Sequence, residues 1–196
     1  MSTSTSDPTP SLPSPILTLP TCQIRPYHAS DVDAVARYAN NTNVARRLRP
    51  HFPSPYTRAD AESWVQHCTS ETGTTPTHFV IADPVTGEFY GSIGIRPMGS
   101  GDESRTAELG YWLGEPFWGR GIMSDAAAAF ARWALEEGYT SQNLLRLEAH
   151  IYATNQASRA VVTKAGFVLE GTRRKAGFKH GEVFDIYMYA LLREDL

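Results

Sequence analysis

The chain has 196 residues, with 18 basic and 21 acidic side chains, a formal net charge of -3, 41% hydrophobic residues and two cysteines. That length suits one domain with a full core, and the composition is globular rather than disordered or fibrous. The acidic balance excludes a general nucleic-acid binder, which needs a basic excess to neutralise phosphates. Cys22 and Cys68 stand alone, offering neither a disulfide framework nor a cysteine zinc site, and free thiols fit a reducing, cytoplasmic compartment. No apolar run reaches the roughly 18 to 20 residues of a membrane span.

Residues 1–21 read as a flexible arm rich in Ser, Thr and Pro, with Asp7 its only charge. Pro8, Pro10, Pro13, Pro15 and Pro20 prevent a helix and deprive a sheet of donors. No Lys or Arg precedes Arg25 and no long apolar stretch occurs, so no secretory or mitochondrial signal is expected. From 22 to 196 a single domain of mixed α/β order follows. Gln23 to Pro26 reads as a short strand, and Ser30 as the cap of a helix carrying Val32, Val35, Ala36 and Tyr38. A second helix follows Thr57, with Asp60 three positions on as a capping box and Trp64 and Val65 turned inward. His78 to Ala82 is a strand, Asp83 to Gly87 a hairpin turn, and Phe89 to Arg96 the partner strand. After a turn at Gly99 to Asp102, Thr106 to Leu113 makes the next strand.

Past Gly121 the period changes. Ser124 to Glu137 is an Ala-rich helix with Ala126, Phe130, Trp133 and Ala134 on one stripe and Gly138 as its stop. Leu144 to Ile151 is a strand, Asn155 to Ala165 a helix ended by Gly166, and Phe167 to Glu170 and Val183 to Ala190 are the closing strands. The expected architecture is α/β (α+β), a mostly antiparallel mixed sheet of six to seven strands flanked by about four helices.

Between strand and Ala-rich helix the chain reads Glu108-Leu109-Gly110-Tyr111-Trp112-Leu113-Gly114-Glu115-Pro116-Phe117-Trp118-Gly119-Arg120-Gly121-Ile122-Met123-Ser124. A turn with two glycines running straight into a helix leaves unpaired N–H groups beside the positive end of the helix dipole. Such a place suits a phosphate or pyrophosphate, with Arg120 adding charge; two glycines there are equally the mark of a plain turn. The run lacks the Gly-Lys-Ser/Thr of a P-loop and the third glycine of the dinucleotide fingerprint.

Glu-Leu-Gly-Tyr-Trp-Leu, then Trp-Gly-Arg-Gly-Ile-Met-Ser, Asn155-Gln156-Ala157-Ser158, Lys164-Ala165-Gly166-Phe167 and Glu170-Gly171 together resemble the GNAT superfamily of acyl-CoA N-acyltransferases. More narrowly they resemble its RimJ/RimL branch of ribosomal-protein N-terminal acetyltransferases, from about Ile24 to Arg193. The resemblance implies the GNAT fold, acetyl-CoA as co-substrate and no metal. It implies that the N–H groups of Gly119, Arg120, Gly121, Ile122, Met123 and Ser124 hold the CoA pyrophosphate. The family's loop pattern falls on Trp118, Gly121 and Met123, departing from it at Trp118 and, where a small residue is usual, at Met123. The strand near Leu113 would pair with pantetheine amides, Asn155 would bond CoA, and Ser158 would protonate the departing thiolate. Read without the resemblance, Asn155 and Ser158 are an N-cap and a solvated hydroxyl.

An attacking amine needs its proton accepted. Glu108, Asp185 in the final strand, and a water linked to Glu108 are the candidates; each carboxylate also reads as a structural partner. Arg46, Arg47 and Arg49, and Arg173, Arg174 and Lys175, form two small basic clusters. The resemblance implies direct transfer in a ternary complex, and neither cysteine falls near the motifs to support a ping-pong route. The acceptor is a primary amine, either a protein N-terminus or a small amine such as a polyamine, amino acid or drug. The expected particle is a monomer or homodimer with no nucleic-acid or membrane partner, and a non-catalytic CoA-binding module is the competing reading.

Overall fold

The computed structural model describes residues 11–70, 76–99, 105–137 and 144–196. The start of the arm, most of the turn expected at Gly99 to Asp102, and Gly138 lie outside the described residues. The strands are β1 (Leu17–Thr18), β2 (Gln23–Pro26), β3 (His78–Ala82), β4 (Phe89–Met98), β5 (Thr106–Leu113), β6 (Arg146–Tyr152), β7 (Val168–Lys179) and β8 (Glu182–Leu192). The helices are α1 (Val32–Ala39), α2 (Thr42–Ala45), α3 (Arg58–Thr69), α4 (Ile122–Glu136) and α5 (Gln156–Lys164). Among the described residues all eight strands join one sheet in the order β1-β2-β3-β4-β5-β6-β8-β7. Every neighbouring pair is antiparallel except β5 and β6.

The sheet separates two cores, and β3 shows how. Phe79 and Ile81 join the larger core with Phe130, Ala126 and Ala134 of α4, while Val80 and Ala82 join the smaller one with Val35 of α1 and Val65 of α3. Successive strand side chains point to opposite faces, so a strand covered on both sides is apolar throughout. Alanines let α4 lie close to the sheet, with Phe130 and Trp133 meeting the Phe79 ring at centroid distances of 5.5 and 5.6 Å. Among the described residues no helix is long and apolar enough to cross a membrane.

Two elements exceed the expected count. Within the stretch read as a flexible arm, Leu17 and Thr18 pair with Ile24 and Gln23 as an edge strand, and Ile16, Leu17 and Leu19 pack on the larger core. An apolar cluster between prolines therefore outweighs the composition of its surroundings. The short α2 is capped by Asn41, whose side chain accepts from Asn43 and Val44 N–H. The expected cap at Ser30 moves to His28, because a 3-10 turn over Ala29–Asp31 precedes α1. Asp31 is drawn into that turn by Arg25: the two make a buried bidentate pair at 2.7 and 2.9 Å. The Thr57–Asp60 capping box forms as read.

Candidate active site

The cleft follows from the strand register. β5 and β6 pair in parallel only at Thr106, Ala107 and Glu108 against Arg146, Leu147 and Glu148. Beyond Glu108 the two strands lose each other, leaving the edge of β5 from Leu109 to Leu113 without β6 as partner. A cleft of about 720 Å³ opens there, lined by both strands, the start of α4, the start of α5 and the chain after α2. Unpaired strand edges are rows of N–H and C=O groups ready to bond an extended ligand.

At one end of the cleft lies the glycine turn. Gly119 and Gly121 have φ of +72° and +80°, the left-handed region that glycine enters without strain. A Cβ built on either meets no atom within 4 Å, so the space over the turn is open. Gly121 is the N-cap of α4 and supplies no side-chain bond to its N–H groups. Those donors and the helix dipole, with Arg120 in the turn itself, are the features that suit an anion, and Lys164 lines the same cleft from the last turn of α5. Trp118 Nε1 donates to Leu113 O at 2.9 Å, and the Arg47 guanidinium lies 4.9 Å over the Trp118 ring. The Leu113 carbonyl, expected near a pantetheine amide, thus already carries one indole bond. Met123 is buried, so its bulk goes to the core and its N–H stays at the helix start.

In mid-cleft, α5 meets β5. Asn155 caps α5 by accepting from Ser158 N–H at 3.2 Å, and Ser158 Oγ lies 2.8 Å from Tyr111 Oη. Tyr111 also donates to Ser158 O at 3.2 Å. Burial, partly offset by the Ser158 hydrogen bond, pushes the Tyr111 phenol well above its ordinary range, so the pair is neutral and holds protons. Sequence reading assigned Tyr111 no role. The available signal was its place on the same β5 face as Leu109 and Leu113, which look toward α4 and α5.

Glu108 lies on the other β5 face, the side of Trp112 and the smaller core. It is 7% exposed; Arg49 pairs with its Oε1 and Arg96 with its Oε2 at 2.6 Å. His150 Nδ1 stands 3.4 Å from Oε1, and its Nε2 stands 2.9 Å from Glu148. Burial works against the charge on Glu148, but hydrogen bonds from Arg146 and His150 outweigh it and hold this carboxyl below the usual range. Ser158 and Glu108 are therefore on opposite faces of the sheet, and the gap between β5 and β6 brings both to one cleft. Asp185 is not brought in: its Oδ1 accepts from Lys175 N–H at 2.7 Å, fixing the left-handed turn of β7 at φ +52°. Cys22 and Cys68 are buried and do not line the cleft.

The acetyltransferase (GNAT) domain family matches residues 22–168. The chain belongs to the GNAT family. It is 32% identical over 117 residues to an uncharacterized N-acetyltransferase, p20, of Bacillus licheniformis, covering 60% of this chain and 62% of that one. It is 34% identical over 87 residues to the ribosomal-protein-serine acetyltransferase of Escherichia coli K12, covering 44% and 46%. The chain thus spans about half the length of these curated relatives. In fold it is similar to RimL, a ribosomal L7/L12 alpha-N-protein acetyltransferase solved in complex with coenzyme A. The TM-score is 0.77, with 24% identity, 91% of this chain and 98% of that chain covered. The resemblance to the RimJ/RimL-type branch therefore stands. For this GNAT domain, sequence reading missed Tyr111, the Arg49–Glu108–Arg96 cluster and Lys179. Lys179 Nζ donates to Ala45 O and Leu48 O at 2.6 and 2.5 Å and ties the β7–β8 hairpin to the chain beside α2.

Proposed function

We propose that this GNAT domain, spanning residues 22–196, moves an acetyl group from acetyl-CoA to a primary amine by direct attack in a ternary complex. The single observation that carries this reading is the two-sided cleft. An uncapped helix start lies at one end, the Tyr111–Ser158 pair in the middle, and Glu108 reaches in from the opposite face. The residues fit a CoA thioester. Glycine N–H groups with open space above them suit the pyrophosphate, and the free edge of β5 suits an extended pantetheine.

In the proposed reaction the amine nitrogen bonds the thioester carbon, the carbon–sulfur bond breaks and an amide forms. Ser158 Oγ, held in place by its hydrogen bond with the neutral Tyr111 phenol, gives a proton to the departing thiolate and is reprotonated from solvent. The amine's proton leaves toward Glu108, directly or through a water. Both oxygens of Glu108 already accept from guanidiniums, so direct transfer displaces one of them and a water does not. N–H donors facing the thioester oxygen stabilise the charge that collects there.

A protein N-terminal amine is the first acceptor to test, since two relatives with printed functions act on ribosomal proteins. The two free, buried cysteines support a cytoplasmic setting. The test is release of CoA thiol from acetyl-CoA with peptides beginning Ser, Thr, Ala or Met, spermidine, free amino acids and aminoglycosides, beside a thermal shift with acetyl-CoA. Turnover on one amine class is expected. A shift without turnover on any amine would favour a non-catalytic CoA-binding module, and no shift would remove the CoA reading altogether.

A further inference from the structure

The cleft is strongly basic in a protein whose net charge is -3. Among the described residues Arg47, Arg49, Arg96, Arg120 and Lys164 line it, against the single carboxylate of Glu108. These cations fall into two groups. Arg120 sits in the glycine turn with Arg47 over the neighbouring Trp118 ring, and Lys164 lines the cleft from the last turn of α5. Arg49 and Arg96 gather at Glu108, five residues up β5 from Leu113, or about 17 Å at the rise of a strand, and on the other face of the sheet.

Glu108 cannot neutralise both guanidiniums. Its side chain is 8% exposed, whereas Arg49 and Arg96 are 46% and 61% exposed and turn their remaining N–H groups outward. Burial and the charge of Arg96 both depress the Arg49 guanidinium, with Tyr152 opposing, so the two cations repel each other beside the carboxylate they share. The remaining charges nearby are spoken for: Glu148 and Glu170 are held by Arg146, and His150 bridges Glu108 and Glu148.

We infer that the acceptor carries a carboxylate close to its amine, and that Arg49 and Arg96 dock it; this rests on the acetyl-transfer reading above. Guanidinium–carboxylate pairing is charge-assisted and directional. A second carboxylate relieves the repulsion between the two arginines, whereas a polyamine or aminoglycoside adds cations to it. The carboxylate belongs either to an acidic side chain following a peptide N-terminus or to the α-carbon of a free amino acid.

The experiment compares kcat/KM for C-terminally labelled hexapeptides that share a Ser N-terminus and carry Asp-Glu, Asn-Gln or Lys-Lys at positions two and three, together with free serine and spermidine. The acidic peptide is expected to exceed the amide peptide by about tenfold at low salt, with the margin closing as salt rises. Arg96→Glu is expected to invert the order in favour of the Lys-Lys peptide, which a merely structural loss would not do. Turnover on free serine with none on any peptide would assign the carboxylate to the amino acid itself. Equal kcat/KM for acidic and amide peptides, preference for spermidine, or an unchanged order in Arg96→Glu overturns the inference. Should no amine be acetylated, the acetyl-transfer reading falls separately. Fluorescence anisotropy of the same peptides with CoA present then decides, tighter binding of the acidic peptide supporting the inference and equal binding overturning it.

Discussion

Ser158 and Tyr111 are 47 residues apart in the chain and 2.8 Å apart at their oxygens. Ser158→Ala removes the proposed proton donor while leaving the Asn155 cap, which uses the backbone N–H of residue 158. It is expected to lower kcat by about a hundredfold and to change CoA affinity little, as read by single-turnover kinetics beside calorimetric titration. Tyr111→Phe keeps the ring and its packing, so it should lower kcat by a smaller factor with the melting temperature nearly unchanged. Equal kcat for wild type and Ser158→Ala would remove Ser158 from the chemistry. Gly121 is a different kind of residue, needed for its backbone alone. Gly121→Val forces a β-branched side chain into φ +80° and raises bulk into open space over the turn. Weaker CoA binding in calorimetry is expected, and an unchanged affinity would count against the turn as the pyrophosphate site.

At the scale of elements, what was legible in the sequence was local. The Thr57–Asp60 box, the Asp83 to Gly87 turn and the Ala-rich stripe of α4 each rest on contacts a few residues apart, and each forms. The parts that shape the acceptor side do not. α2 has four residues and is held from far away, with Asn41 and Asn43 both donating to Glu115 at 2.7 and 2.9 Å. The gap between β5 and β6 depends on where a parallel pairing stops, which no periodicity announces. Glu108 was legible as a carboxylate on the right strand, but its two guanidiniums come from other elements. Lys179→Met tests the tie between hairpin and α2: the stem keeps its packing while Ala45 O loses this donor. A loss of about 1 to 2 kcal/mol in denaturant unfolding is expected, with KM for the acceptor rising more than KM for acetyl-CoA.

Across the whole molecule, the sheet carries two cores whose stabilities are linked through β3, where one strand serves both. The buried Arg25–Asp31 pair anchors the first helical turn to β2 on the side of the smaller core. Asp31→Ala strands a buried guanidinium and is expected to cost about 3 to 5 kcal/mol in chemical denaturation. The alkaline limb of stability has a named contributor. Burial raises the Cys22 thiol to about 11, with its Thr21 hydrogen bond opposing and the Asp125 charge adding to the rise. A group raised in the folded state contributes fully below its unfolded value and loses that contribution as pH climbs toward the folded one. Stability should therefore fall between pH 9 and about 11, by at most about 1.4 kcal/mol per pH unit from this thiol. The fall should be shallower in Cys22→Ala, measured by denaturant midpoints across that range.

The two ends of the cleft differ in what natural variation can alter. The glycine turn and the free edge of β5 present main-chain atoms, which survive almost any exchange of side chain provided the backbone keeps its course. The far end presents guanidiniums and a carboxylate, each one codon step or two from a different charge. On the proposed acetyl-transfer reading, descendants of such a chain can retain their acyl donor while drifting from one acceptor to another, which would make donor choice the conservative trait and acceptor choice the adaptable one.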